Sequence, residues 1–191
     1  MQQLALWLIT NVGKPITGNS LRKIFGINSS SSMMDYLSYF SDAYLFFFIP
    51  RFSYSRKAQL VNPKKVYCVD NGLVDINSVS FSDDSGRLLE NMVFMQLRRH
   101  SHEIYYFSET KECDFVLFYQ GKLKGLFQVC LALDQNNTDR EISGLAAAMD
   151  FFRINEGYIV TLNQTETFSI KEKTIYCLPF CNLMNSKMAI L

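Results

Sequence analysis

Histidine is nearly absent from this chain, and cysteine is too scattered to make up for it. The 191 residues hold two histidines, His100 and His102, and five cysteines. Cys177 and Cys181 flank the tripeptide LPF, yet no second Cys/His pair completes a zinc ligand set. Cys68, Cys113, Cys130, Cys177 and Cys181 are odd in number and dispersed, which argues against a disulfide framework. Three of them lie in strand-like runs, where a thiol packs as a small hydrophobe, so a reducing compartment is expected. No long apolar run is present. The opening "MQQLALWLIT" is too short to span a bilayer. It also lacks the basic start and small-residue cleavage site of a signal peptide, so the expectation is a soluble, cytoplasmic chain with no membrane partner. Charge of one sign is not in excess either: 19 Lys and Arg stand against 18 Asp and Glu, a net charge of +1. Any surface for nucleic acid must therefore be local.

A nucleotide-binding loop is missing as well. "NVGKPITG" contains a Gly-Lys pair, but Leu8 stands where the first glycine of a phosphate loop belongs, and Pro15 follows where Ser or Thr should be. About half of the residues are hydrophobic, enough for a packed core.

The polar run "NSVSFSDDS" (77–85) reads as a linker between a smaller part, 1–76, and a larger one, 86–191. In the first part, residues 2–11 have helical spacing. "TGNS" caps a second helix and Asn28 to Ser32 cap a third. The third carries an apolar stripe of Met33, Tyr36, Leu37 and Phe40. "YLFFFIPRF" and "KKVYCVD" then read as two strands. Three helices followed by a strand pair is the order of a winged helix-turn-helix. Its third helix has no Lys or Arg from Asn28 to Ala43, so it is poorly equipped to read bases. The cations expected at a nucleic-acid backbone are Arg51, Arg56, Lys57, Lys64 and Lys65, around the wing.

In the second part, "GRLLENMVFMQLRRH" is an amphipathic helix with Glu90, Val93 and Leu97 on one stripe. Glu90 is thus either a site carboxylate or an ion-pair partner of Arg87 or Arg98. "EIYYFSE" and "CDFVLFY" read as strands, "GK" as a turn and "KGLFQVCLAL" as a third strand. Alternation places Asp114 with Val116 and Phe118, and Leu126 with Gln128 and Cys130. Asp114 and Gln128 are then polar groups on buried strands and need partners. "DREISGLAAAMDFFR" is a helix, and "EGYIVTLNQ" and "KTIYCLPF" are the last strands. The expectation is an α/β fold of order α-β-β-β-α-β-β around a mixed central sheet.

This layout resembles the restriction-endonuclease-like nucleases. In those enzymes clustered carboxylates hold Mg²⁺ or Mn²⁺, and a lysine just beyond the last acidic position assists the attacking water. Glu90 and Asp114 match two of the carboxylates and are the candidate metal ligands. Gln128 occupies the third acidic position and Cys130 the place of the lysine. Arg140, with Glu141 beside it, is the candidate relocated cation and Lys111 a weaker one; Glu112 is a further candidate ligand. The bland reading of Arg140 is a pair with Asp139 or Glu90.

The stretches "GRLLENMVFMQLRRHSHEIYYFSETKECDFVLF", "FQVC" and "REISGLAAAMDFF…EGYIVTLN" are similar to the C-terminal domain of a large family of prokaryotic AAA+-type ATPases. "YLSYFSDAYLFFFIPRFS…KKVYCVDNGL" resembles the winged-helix segment that joins it to the ATPase core. The resemblance implies an ATPase core as partner, in cis or in trans, and ATP only through that core. Three functions follow as expectations: a non-catalytic module binding nucleic acid such as DNA, or protein, a Mg²⁺- or Mn²⁺-dependent DNA nuclease with a displaced cation, or a structural domain that forms homo-oligomers.

Overall fold

The computed structural model describes residues 1–77 and 85–185. The expected linker, 77–85, lies almost wholly outside the described residues. The chain forms two compact units, Met1–Asn91 and Met92–Leu191.

The first unit begins with helix α1 (Gln2–Thr10), a two-residue strand β1 (Pro15–Ile16), and helices α2 (Gly18–Ile24) and α3 (Ser30–Asp42). Thr17 caps α2, accepting the Ser20 amide while the Ser20 hydroxyl accepts the Thr17 amide. Ser29 caps α3. The buried stripe of α3 is Met33, Leu37 and Phe40, with Tyr36 half-buried. Strand β2 (Phe46–Pro50), helix α4 (Arg56–Val61), strand β3 (Lys64–Cys68) and helix α5 (Asn71–Asn77) follow. β3 is the centre of a three-stranded sheet, antiparallel to β1 and to β2. The β2–β3 connection, expected to be irregular, thus contains a helix.

Helix α6 (Ser85–Arg98) crosses the division between the units. After it the second unit holds β4 (Glu103–Ser108), β5 (Glu112–Tyr119), β6 (Lys122–Val129), α7 (Thr138–Phe152), β7 (Glu156–Thr161), β8 (Glu166–Ile170), β9 (Lys173–Pro179) and α8 (Phe180–Asn185). The six strands form one mixed sheet of order β4-β5-β6-β7-β9-β8. β6, β7 and β9 run parallel; the outer pairings are antiparallel. α7 provides the crossover that two adjacent parallel strands require. Gln120 and Gly121, both at positive φ, form the β5–β6 turn, so Lys122 already belongs to the strand.

β5 is buried from Cys113 to Leu117 because both of its faces are covered. Val116, Leu126 and Cys130 pack in one cluster with Leu145, Ala148 and Met149 of α7. Phe115 packs instead against Phe94 of α6, with ring centroids 6.3 Å apart. α7 approaches the sheet closely at Gly144, where an added Cβ would sit 2.4 Å from the carbonyl oxygen of Glu112. β8, which the sequence pattern does not mark, is an exposed edge strand beside β9. No helix among the described residues is long and apolar enough to cross a membrane.

Candidate functional site

The β5–β6 ladder, with one register shift between Leu117 and Phe118, reaches as far as Phe115 opposite Phe127. Beyond that point side chains take over from the backbone. The Val129 amide donates to Asp114 Oδ2 at 2.9 Å, and the Asp114 amide donates to Gln128 Oε1 at 3.3 Å. Gln128 Nε2 in turn donates to Glu141 Oε2 at 2.7 Å. The Arg140 guanidinium closes the chain on Glu141 Oε1, its Nε at 3.0 Å. Asp114, Gln128 and Glu141 are all buried, Glu141 to 4 % exposure, whereas the Arg140 side chain is 78 % exposed. A buried carboxylate needs this kind of paired and hydrogen-bonded setting. The Glu141 hydrogen bond and charge raise the pKa of Arg140.

The sequence pattern thus brings Asp114, Gln128 and Arg140 together, but through Glu141. Arg140 pairs with Glu141, not with Asp139 or Glu90. Glu141 was legible: it opens the buried stripe of α7 that continues through Gly144, Leu145, Ala148 and Met149. Cys130 is buried, and its pKa is pushed up to about 12, first by burial and then by the negative charge of Glu141. At neutral pH it is an uncharged thiol. Lys111 donates to the Ser143 hydroxyl on α7 at 2.6 Å, and Glu112 is exposed.

Glu90 belongs to the first unit. Tyr67 Oη donates to its Oε1 at 2.7 Å and Lys65 Nζ lies 3.3 Å from the same atom. Gly13, at φ +80°, lies against the other oxygen, with space for no side chain. Next to it, Asn91 exchanges two hydrogen bonds of 2.9 Å with the backbone of Cys68. Lys65 is therefore not the phosphate contact expected from the sequence. At 2 % exposure, with its ammonium on Glu90, it is part of the interior. Arg56 and Lys57 are exposed at the start of α4, and Arg51 and Lys64 are half-buried. Among the described residues, Lys64 is the single cation bordering a hollow of about 570 Å³, whose walls include Met34 and Leu37 of α3, Phe48, Leu60 and Val61. Among the described residues, no group of three His, Cys, Asp or Glu side chains is placed to hold a metal ion.

Residues 1–80 match one family model, Domain of unknown function (DUF8612), and residues 85–183 match another, Domain of unknown function (DUF4143). The uncharacterized protein MJ1544 of Methanocaldococcus jannaschii is 36 % identical over 163 residues, which cover 80 % of this chain and 36 % of that protein. The chain thus spans about a third of the length of this curated relative. No solved structure matches it significantly. Because the second model covers more than half of its residues, the chain belongs to the DUF4143 family, domains found at the C-termini of AAA-type ATPases.

Proposed function

We propose that the chain is a nuclease-like module without hydrolytic activity, serving a prokaryotic AAA+-type ATPase as a C-terminal domain that engages nucleic acid or a protein partner. One observation carries this reading. The position that should hold a catalytic lysine holds Cys130, a buried thiol whose pKa is pushed up to about 12 and which has no positive charge to offer a phosphate. The neighbouring groups are engaged in a way that fits: Asp114 accepts a backbone amide of β6, and Gln128 is committed to Glu141. A carboxylate that closes a strand ladder contributes to folding, and its presence does not require metal chemistry.

The first unit, with its helices followed by a three-stranded antiparallel sheet, is read as a winged helix acting as an adaptor. The apolar hollow beside α3 and the absence of cations on that helix favour an adaptor over a reader of base sequence.

The second reading, a metal-dependent nuclease whose cation moved to Arg140, draws on the largely exposed guanidinium beside buried Glu141. Plasmid nicking with Mn²⁺ separates the two. The expected result is no nicking by the wild type, Asp114→Ala or Arg140→Ala. Metal-dependent nicking by the wild type that both substitutions abolish, with both variants folded, overturns the proposal in favour of the nuclease.

A further inference from the structure

The far end of the β5–β6 hairpin gathers positive charge that the reading above does not use. α6 ends in Arg98, and the amides of Arg99 and His100 close its last turn by donating to the carbonyls of Gln96 and Leu97. The next residues are fixed firmly. The Ser101 hydroxyl, buried, donates to the Phe118 carbonyl at 2.5 Å and accepts the Glu103 amide at 3.0 Å. Glu103 Oε2 accepts the Gly121 amide at 2.9 Å, which ties the hairpin turn to the same loop. Lys122 stands opposite Tyr119 in the β5–β6 register, and Lys124 Nζ lies 5.8 Å from the centre of the Tyr119 ring. A hollow of about 240 Å³ opens here between the loop that follows α6 and the Tyr119–Gln120 end of the hairpin.

Arg98 and Arg99 border this hollow with Glu103, which already accepts a backbone amide, and Lys122 and Lys124 stand on the adjoining hairpin strand. His100 and His102, exposed in the same loop, are the only histidines of the chain. Cations at a helix C-terminus are favoured by the helix dipole, and this accounts for Arg98 and Arg99. It does not account for Lys122 and Lys124 on the hairpin, nor for a tyrosine left 44 % exposed among them. The hollow falls below the roughly 300–1,000 Å³ of enclosed small-molecule sites. It suits one phosphate group of a polymer running across the surface. Cations lining a path, with an aromatic ring available for stacking, are the chemistry that holds single-stranded nucleic acid without sequence preference.

We propose that this end of the second unit binds single-stranded nucleic acid, with phosphates on Arg98, Arg99, Lys122 and Lys124 and a base stacked on Tyr119. The surface is distinct from the Asp114 site: Tyr119 lies five positions beyond Asp114 on β5, about 17 Å of strand. The inference stands whether or not the Asp114 site hydrolyses anything.

Fluorescence anisotropy of a labelled oligothymidylate of about 12 nucleotides, with the full chain in EDTA, tests it. Four phosphate contacts predict an affinity that falls with salt at a log–log slope of about −3. Reversing both hairpin charges, Lys122→Glu with Lys124→Glu, lowers affinity at least tenfold and brings the slope to about −1.5 or shallower. Tyr119→Ala weakens binding and leaves the slope in place. The same reversal at Lys23 and Lys171, both exposed and outside this surface, leaves affinity and slope unchanged. Equal melting temperatures certify the folds. Failure of the wild type to bind at low salt overturns the proposal. So does an equal loss in the Lys23 and Lys171 reversal, which would report net charge alone, or tighter binding of a duplex than of the single strand. EDTA blocks metal-dependent cleavage, so this outcome is independent of the nicking assay.

Discussion

Gln128 makes one hydrogen bond with each end of its amide, to the Asp114 amide and to Glu141. Replacing it by leucine keeps the volume and removes both. Glu141, 4 % exposed, then keeps Arg140 but loses its buried donor. Gln128→Leu is expected to lower stability by about 1–3 kcal/mol, read from the midpoint of denaturant unfolding. Cys130 gives a prediction in pH. Its thiol keeps its proton to about pH 12 in the folded chain, against an ordinary value of 9.0. Between those values unfolding releases a proton, so the stability tied to this group is complete below pH 9 and is lost as pH rises toward 12. The melting temperature of Cys130→Ala should fall less steeply than that of the wild type between pH 9 and 11. Cys68 and Cys177, also raised by burial, keep some of the slope in the variant. At this scale the sequence reading was half sufficient. That Asp114 and Gln128 need partners follows from polar residues on buried strands. Which partners they take depends on how α7 lies across the sheet, and that is tertiary information.

Among the elements, α7 is the one whose position is most tightly set. The stripe from Glu141 to Met149 packs on β5, β6 and β7, and Gly144 lets the helix backbone approach the Glu112 carbonyl. An alanine normally favours a helix by about 1 kcal/mol over glycine. Here its methyl group would collide with backbone that cannot swing aside, a strain of about 1–3 kcal/mol. Gly144→Ala should therefore melt below the wild type despite the better helix former. Long periodic elements such as α3, α6 and α7 were legible because each buries a stripe. α4 buries no residue at all and leaves Leu60 and Val61 exposed, so its six residues carry no amphipathic signal. β1 has two residues, too few for any period, and β8 is a short, largely exposed edge strand.

For the molecule as a whole, the near-neutral net charge concealed its distribution. Arg98 and Arg99 lie more than twenty residues from Lys122 and Lys124 in the chain, and only the hairpin and the Ser101 loop bring them to one end of the sheet. The wing lysines show the reverse error: Lys64 and Lys65 are adjacent in sequence, yet strand alternation sends Lys65 inward to Glu90.

The placement of Glu90 and Asn91 also separates two kinds of boundary. By descent the chain divides between residues 80 and 85, where one family model ends and the next begins. By packing it divides at Asn91, because the opening half of α6 supplies Glu90 to Lys65 and Tyr67, and Asn91 to the end of β3. A fragment cut at the inherited joint gives up both side chains and leaves the Lys65 ammonium, 2 % exposed, without its carboxylate. Residues 1–77 alone should unfold at a lower temperature than residues 1–98, and the difference measures what Glu90 and Asn91 contribute to the first unit.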